Sequence, residues 1–418
     1  MNNAFKPADI LVPNKTVNMN KWSVIACDQY TSEANYWKQT EKNVGDSISA
    51  LNLILPEIYL EDKNVDDKIK NIQQNMENYL ESGIFDEYKN SMVYIERIQS
   101  NGILRAGILG MIDLEEYDFS KGSTSQVRAT EATVIERIPP RVKIRDDASL
   151  ELPHIMILID DENKTVIEPI EAEKSNLKKL YDFELMQGGG KISGYLLEGS
   201  KCNDIISKLN NLGNAEKFKE KYGVSDILLY AMGDGNHSLA TAKQFYEQLK
   251  KQNPDKDFSN HSARYALAEI VNLHSPALEF EAIHRIITEV DTDKLITEMT
   301  ADLKLSEMPS EQAFSYILNG KEKTVYIHNP SSNLTVGSLQ KFLDKYLAEN
   351  QGKIDYIHGK DTVKRLVNQE NSIGFILPDM AKSELFPTVV KDGALPRKTF
   401  SMGHAEDKRY YIECRKIK

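Results

Sequence analysis

The sequence predicts an α+β protein in which mixed sheets are surrounded by helices. Residues 92–98 and 103–111 have strand patterns, and Asn101-Gly102 between them is a strong hairpin turn. Residues 66–82 instead carry apolar side chains at helical spacing. Hydrophobic residues make up 40% and charged residues 28% of the 418 positions, which is typical of a globular protein with a substantial core.

Short apolar or alternating runs predict the strands, and apolar residues spaced three or four apart predict the helices. The predicted strands are residues 22–27, 92–98, 103–111, 142–144, 154–159, 165–170, 195–197, 227–232, 324–327 and 373–377. The predicted helices are residues 66–82, 204–222, 239–249, 283–290, 295–303 and 338–346. Residues 262–271 fit either type of element. We expect a β-rich α+β region in residues 1–200 and a second α+β region in residues 201–418, or one interlocked unit of both.

Charge and composition argue against several classes of function. The net charge is −11 and the sequence has no long basic stretch, so a general nucleic-acid binder is not expected. No run of about 18 apolar residues predicts a membrane span. The three cysteines lie far apart, without the spacing of a zinc site or a disulfide scaffold. The N-terminus lacks a secretory pattern, so we expect a cytoplasmic protein that acts on a small molecule.

Residues 225–243 contain the most informative pattern. An apolar strand ends at Gly233, and residues 234–238 (Asp-Gly-Asn-His-Ser) lead directly into an Ala-rich helix. Such a junction points backbone N–H groups and the positive end of the helix dipole at one place, which suits a phosphate. Asp234 and His237 add a candidate metal ligand or acid–base pair. The alternative is an ordinary β–α turn in which Asp234 and Ser238 cap the helix.

A second pattern gathers arginines in residues 127–145, which is unusual in an acidic protein. Arg128 and Arg141 flank Glu131, and guanidinium groups suit bidentate binding of phosphate or carboxylate. Glu131, with Thr133 beside it, is a candidate general base or metal ligand. The alternative is a solvated helix face whose arginines pair with neighbouring carboxylates.

Three further places offer polar side chains at the ends of predicted elements. Asp28 and Tyr30 follow a predicted strand, where Asp28 contacts a substrate or metal, or caps a helix. His284-Arg285 and residues 395–404 are basic and are candidates for anion binding, or are ordinary structural and surface residues. The glycine-rich residues 187–194 lack the spacing of a P-loop, and the sequence contains no hydrolase elbow, zincin or dinucleotide-binding signature.

These segments together resemble the family catalogued as domain of unknown function 1015. The family's Ala-Asp-Gly-His-His-Arg-Tyr block corresponds to residues 233–239, and its His-Glu-x-Thr block to residues 130–133. Its Pro-Thr-His-Arg and Leu-Pro-x-Lys-Ser-Thr blocks correspond to residues 282–285 and 395–400. The chain departs from the pattern at Asn236 and Ser238, where the family has His and Arg, and at Thr130, where it has His.

The resemblance implies a core similar to the ParB-like fold of partition proteins and free serine kinases. It further implies Mg²⁺-dependent phosphoryl transfer to a small alcohol, most simply L-serine, with pyrophosphate or a nucleotide as donor. The alternatives are a nucleotide-binding regulator without turnover and a phosphoesterase. The residues assigned to catalysis are Glu131 as base, His237 on the transferring group and Asp234 as metal ligand. Those assigned to phosphate binding are Gly235, Asn236, Ser238, Arg128, Arg141, His284, Arg285, Lys398 and Thr399. Those assigned to substrate binding are Asp28, Tyr30, Thr133 and His404.

Overall fold

The computed structural model describes residues 3–31, 33–131, 138–367 and 370–418, and these contain both helices and strands. The helices are α1 (Met19–Trp22), α2 (Ala34–Val44), α3 (Val65–Glu81), α4 (Ile138–Asp146), α5 (Pro169–Glu173), α6 (Ser200–Leu212), α7 (Ala215–Tyr222), α8 (Asn236–Gln252), α9 (Thr292–Leu303), α10 (Thr335–Glu349), α11 (Lys360–Leu366) and α12 (Leu385–Asp392). The strands are β1 (Phe5–Lys6), β2 (Ala8–Pro13), β3 (Phe85–Ile98), β4 (Leu104–Asp113), β5 (Tyr117–Asp118), β6 (Val127–Arg128), β7 (Leu150–Glu151), β8 (Met156–Ile159), β9 (Lys179–Glu184), β10 (Lys191–Leu197), β11 (Tyr230–Asp234), β12 (Tyr265–Asn272), β13 (Phe280–Thr288), β14 (Leu305–Ser306), β15 (Gln312–Leu318), β16 (Lys321–Ile327), β17 (Lys353–His358), β18 (Ile373–Ile376), β19 (Phe400–Met402) and β20 (Arg415–Lys416).

The chain forms two units, and the first is discontinuous. It comprises residues 1–278 together with residues 404–418, and the second comprises residues 279–403. The expected division near residue 200 does not coincide with this partition, because residue 200 begins α6 inside the first unit. The reason lies in β12, which pairs with both β4 and β8 in the middle of the first unit's sheet and so keeps the chain there beyond residue 265.

The main sheet of the first unit has 11 strands and is mixed, as the sequence predicts. Its central order is β5-β6-β11-β8-β12-β4-β3-β10-β9. The pairs β5–β6, β6–β11 and β8–β12 are parallel, and the other pairs along this order are antiparallel. Strands β6, β8 and β11 therefore lie side by side, and the junction between β11 and α8 lies at this part of the sheet.

Apolar side chains cover both faces of this sheet. Along β3, Met92 and Tyr94 belong to one buried cluster, whereas Val93 and Ile95 belong to the other. Since successive side chains of a strand point to opposite faces, two separate cores lie on the two sides. α8 packs in the first core, and the two tryptophans of the chain, Trp22 and Trp37, are fully buried in the second.

The second unit is built on a seven-stranded antiparallel sheet in the order β14-β16-β15-β18-β13-β17, with β19 also paired to β13. Both ends of the unit lie in this pairing, because Phe280 is opposite Met402. Helices α9, α10, α11 and α12 belong to the same unit. The helices among the described residues of both units are too short or too polar to cross a bilayer.

Four predicted elements are wrong in type. Residues 142–144 lie in α4, whose first turn contains two prolines, and proline is favoured there because its N–H is not needed. Residues 283–290 lie mainly in the buried strand β13, since a continuous apolar run cannot be assigned by periodicity. Residue 22 ends α1, and residues 23–27 after it make only an isolated β-bridge at Ile25. Residues 165–170 form a turn and the start of α5.

Candidate active site at the start of α8

Strand β11 passes into α8 through one residue, Gly235, which lies in the left-handed region with φ 79°. A Cβ there would lie 3.1 Å from Ile155 Cα, so glycine meets both a backbone and a packing requirement. Gly235 occupies the N-cap and no side chain caps the helix, so the alternative in which Asp234 and Ser238 cap α8 does not hold. The N–H groups of the first turn have no carbonyl partner within the helix and point, with the positive end of the dipole, toward a common place.

Asp234 ends β11 beside this helix terminus, and a lysine from elsewhere in the chain faces it. Its Oδ1 accepts the Gly235 N–H at 3.0 Å, and its Oδ2 lies 3.3 Å from Lys408 Nζ. The two side chains are only 21% and 15% exposed. Lys408 belongs to residues 404–418, which we call the return segment because they bring the chain back to the first unit. Sequence reasoning missed this cation, since nothing in residues 404–418 indicates that they meet β11.

Buried arginines hold the return segment in place. Arg97 donates to the carbonyl oxygens of Lys408 and Glu406, and Arg105 Nη1 donates to the Asp407 carbonyl at 2.8 Å. Arg97 also donates to the Gly189 carbonyl at 2.8 Å, which gives the glycine-rich loop a structural role. Backbone contacts of this kind fix the position of Lys408 without using its side chain.

Buried charged side chains also connect the return segment to β12 and β4. Glu269 of β12 is buried, and its carboxylate forms an ion pair with Arg409, whose Nε lies 2.9 Å away, while Arg105 Nε lies 4.0 Å away. Arg409 also pairs with Glu413 at 3.0 Å. Burial lowers the pKa of Arg409, but the carboxylates of Glu413 and Glu269 outweigh it and raise that pKa above its usual value. We call these four side chains the buried ion cluster.

His154 links the first turn of α8 to two other elements. Its Nε2 lies 2.9 Å from Ser238 Oγ and 3.8 Å from Asp28 Oδ2. Its Nδ1 lies 2.8 Å from the hydroxyl of Tyr411, a residue of the return segment. The backbone N–H of Cys27 donates to the same hydroxyl at 3.1 Å. The structure thus brings Asp28 and Ser238 together through a histidine that the sequence did not indicate.

A cavity of about 160 Å³ opens beside Ser238 and His154. Most of its wall is apolar and includes Leu53, Met76 and Leu267. Arg141 also lines it, but its guanidinium forms an ion pair with Glu57. Arg145 and Glu151 form a second ion pair in the lining, so the cavity offers an apolar volume next to the helix terminus and two ion pairs at its wall.

The candidate base, Glu131, lies three residues after β6, the strand next to β11. β6 is parallel to β11, with Arg128 opposite Ala231, so Glu131 and Asp234 each come three residues after that pair. The hydroxyl of Thr130 donates to the Met232 carbonyl at 2.8 Å, which continues the association of the two segments. Glu131 itself is half-buried. The predicted contact Thr133 lies outside the described residues.

Arg128, another predicted phosphate ligand, has protein partners instead. Arg128 is buried, and its guanidinium donates to the carbonyls of Ser125 and Asp226, each at 2.8 Å. Asn236 and His237 begin α8, and both are half-buried. Among the predicted substrate contacts, Tyr30 stacks on Tyr36 with ring centroids 3.7 Å apart. His404 is exposed at the start of the return segment.

The remaining predicted phosphate ligands belong to the second unit. Arg285 is completely buried and donates to the Lys398 carbonyl at 2.9 Å and to Gln340 at 3.1 Å. His284 Nδ1 accepts the Leu377 N–H at 3.2 Å, and burial lowers the pKa of His284 to about 4. The hydroxyl of Thr399 donates to the Pro396 carbonyl at 2.5 Å. These contacts stabilise the second unit, and an anion-binding role for its residues stays a prediction.

The donor set at Asp234 fits Mg²⁺ that arrives with a phosphate. Asp234 belongs to no group of three closely spaced metal-type ligands among the described residues. Mg²⁺ is commonly held by one or two carboxylates together with substrate phosphates and water. The atom that would hold it is Asp234 Oδ2, which also lies 3.3 Å from Lys408 Nζ.

Known proteins similar to the chain were found among solved structures, whereas no curated protein matches it. A free serine kinase in complex with AMP is 12% identical, with a TM-score of 0.38, over 73% of this chain and 91% of that chain. A conserved hypothetical protein from Pyrococcus furiosus is 11% identical, with a TM-score of 0.34, over 72% and 97%. Truncated SbnI from Staphylococcus aureus is 8% identical, with a TM-score of 0.36, over 71% and 82%. Residues 11–346 match a family model, and the chain belongs to that family, described as protein of unknown function DUF1015.

Proposed function

We propose that the protein is a Mg²⁺-dependent phosphotransferase that moves a phosphoryl group to the hydroxyl of a small alcohol. L-serine is the first acceptor to test, with pyrophosphate or a nucleotide as donor. The observation that carries the proposal is the junction of β11 and α8, where Asp234, Lys408 and the N–H groups of the first turn surround one place. Phosphoryl transfer depends mainly on positioning and on neutralising charge, and these groups supply both.

Each part of the site has a separate task in this proposal. The first turn of α8 holds phosphate oxygens through its N–H groups, and Lys408 offsets their charge. Mg²⁺ at Asp234 would neutralise further charge on the donor. Glu131 takes the proton of the acceptor hydroxyl, because it lies on the segment that runs beside the end of β11. The neighbouring cavity, with the Arg141–Glu57 pair in its wall, is where the acceptor binds.

The test is ³¹P NMR of the protein with Mg²⁺ and L-serine, with pyrophosphate, ADP and ATP compared as donors. A phosphoserine resonance with one donor supports the proposal and identifies that donor. Glu131→Gln should lower the rate by about 10² to 10⁴ and leave donor binding, measured by calorimetry, nearly unchanged. Loss of donor binding in this variant would contradict the role as base.

Two results would redirect the proposal to other functions on the same site. Donor binding without any product, over a panel of small alcohols, would indicate a nucleotide-binding regulator. Release of inorganic phosphate at the same rate with and without alcohol would indicate a phosphoesterase. Asp234→Asn is the matched control in each experiment, since it should abolish Mg²⁺-dependent binding of the donor.

A further inference from the structure

Ser238 has the surroundings of an activated nucleophile. It is the third residue of α8, and its hydroxyl is 2.9 Å from His154 Nε2, within hydrogen-bond reach. Both residues line the 160 Å³ cavity. The side chain of His154 is only 8% exposed, so bulk water does not compete strongly for its nitrogens.

One tautomer of His154 can act as a base toward Ser238. The Tyr411 hydroxyl oxygen accepts the N–H of Cys27 at 3.1 Å. The same oxygen accepts Nδ1–H of His154 at 2.8 Å when the imidazole proton is on Nδ1. In that tautomer the lone pair of Nε2 points toward Ser238, and the serine hydroxyl donates to the imidazole.

Asp28 lies at the same edge of the imidazole as Ser238. Its Oδ2 lies 3.8 Å from His154 Nε2, the nitrogen that also contacts the Ser238 hydroxyl. When Nε2 takes the serine proton, a carboxylate at this distance stabilises the positive charge that forms. The nucleophile and a charge stabiliser thus both face the nitrogen that acts as the base.

We propose that Ser238 accepts the phosphoryl group from the donor and passes it to the alcohol, so that transfer proceeds through a phosphoserine enzyme. The proposal rests on the proposed function, because the same helix terminus binds the donor. In the first step Ser238 Oγ forms a bond to phosphorus, and the bond to the leaving oxygen breaks. The leaving phosphate or nucleotide departs with the electron pair, and the Ser238 proton passes to His154 Nε2.

The second step reverses the roles of the two oxygens. The acceptor oxygen forms a bond to phosphorus as its proton passes to Glu131, and the bond from phosphorus to Ser238 Oγ breaks. His154 returns its proton to Ser238 Oγ, and Glu131 releases its proton to water, so all three groups regain their starting state. Between the steps, the phosphoserine lies in the first turn of α8, where N–H groups and the helix dipole favour its negative charge.

A phosphoserine enzyme has two signatures that direct transfer lacks. Incubation with Mg²⁺ and donor, without alcohol, should add one phosphoryl group of about 80 Da to the peptide that contains Ser238. With pyrophosphate as donor, labelled inorganic phosphate should also exchange into pyrophosphate when no alcohol is present. Ser238→Ala should lose both signatures, and His154→Asn should slow phosphorylation by about 10² to 10⁴.

The control variant is Ser200→Ala. Ser200 is also the first-turn serine of a helix, α6, after a left-handed residue, Gly199, but it is exposed and lies on another element. It should keep both signatures. Ser238→Thr retains a hydroxyl and should recover part of the label, which separates loss of the nucleophile from loss of the fold.

The outcomes separate the two proposals. If Ser238→Ala still forms the phosphorylated alcohol within twofold of the wild-type rate, the kinase stands and the covalent step is overturned. If Ser238 becomes phosphorylated but no alcohol product forms, the covalent step stands and the kinase falls. If the wild-type protein shows neither product nor phosphoserine with any of the three donors, both are overturned.

Discussion

Replacing Glu269 with glutamine removes the central charge of the buried ion cluster. Glu269 is 2% exposed, and the guanidinium nitrogens of Arg409 and Arg105 lie 2.9 and 4.0 Å from its carboxylate. Coulomb's law with an effective dielectric constant of about 20 gives about 6 and about 4 kcal/mol for these two contacts. The cost of burying Glu269 offsets part of that sum, and Glu413 still pairs with Arg409 in the variant. We therefore expect a loss of about 3–5 kcal/mol, the range for a buried pair that loses one partner.

The assay is urea denaturation followed by tryptophan fluorescence. Both tryptophans, Trp22 and Trp37, are buried in the first unit, so their signal reports the unit that contains Glu269. With a denaturant slope of about 3 kcal/mol per molar urea, the midpoint should fall by about 1–1.7 M. Glu96→Gln is the control, because Glu96 lies in the same sheet but pairs with Lys174, which is 35% exposed. That pair should contribute no more than about 1 kcal/mol.

A loss below about 1 kcal/mol, or one equal to that of Glu96→Gln, would refute this reasoning. It would mean that water or local relaxation satisfies Arg105 and Arg409 without the carboxylate. The return segment would then be held mainly by the backbone contacts of Arg97 and Arg105.

Three further variants test other features. Gly235→Ala places a Cβ on a residue with φ 79°, 3.1 Å from Ile155 Cα. It should lower the free energy of unfolding, measured by urea denaturation, by about 1–2 kcal/mol. It should also weaken pyrophosphate binding measured by calorimetry. Lys408→Met should raise the Kd for pyrophosphate about tenfold. It should change the free energy of unfolding by less than about 1 kcal/mol, because the pair with Asp234 is partly exposed. Equal affinity for pyrophosphate in the variant and the wild type would exclude Lys408 from the donor site. Burial lowers the pKa of His284 from 6.5 to about 4 in the folded protein. Between these two pH values the unfolded chain binds a proton that the folded protein does not, so stability falls as the pH drops from 6.5 toward 4 and is unaffected above pH 6.5. Circular dichroism in urea at pH 7 and pH 5 should therefore show a loss approaching 1.4 kcal/mol per pH unit that His284→Gln removes, and an identical pH dependence in both proteins would contradict it.

The fold class and most elements could be predicted from the sequence because their signals are local. The hairpin at Asn101-Gly102 and α3 are confirmed, since turn chemistry and helical spacing act over a few residues. β13 was misread as a helix because it is buried along nearly its whole length, and burial on both sides removes the alternation that distinguishes a strand. The discontinuous first unit was not predictable from local patterns, because it depends on pairings between distant segments.

The candidate site was predictable only where its residues are close together in the sequence. The strand, glycine and helix at residues 230–252 are contiguous, and the structure has them as expected. Lys408 and Tyr411 come from a segment more than 150 residues later, and His154 from a strand end with no motif. The arginines near residue 130 were the most visible cations in the sequence, yet Arg128 donates to carbonyls and Arg141 pairs with Glu57. Abundance of charge in a segment does not indicate which charges remain for a ligand.

Because the return segment follows the second unit in the sequence, the ribosome makes the second unit before the first is complete. Residues 404–418 leave the ribosome only after the whole 279–403 unit has been made. Until then a nascent chain has Glu269 without Arg409, and it has His154 without the hydroxyl that orients it. The second unit, whose two ends pair with each other at Phe280 and Met402, can close before the first is complete. Synthesis that stops short of residue 411 therefore leaves a chain with a complete second unit and an unfinished first unit.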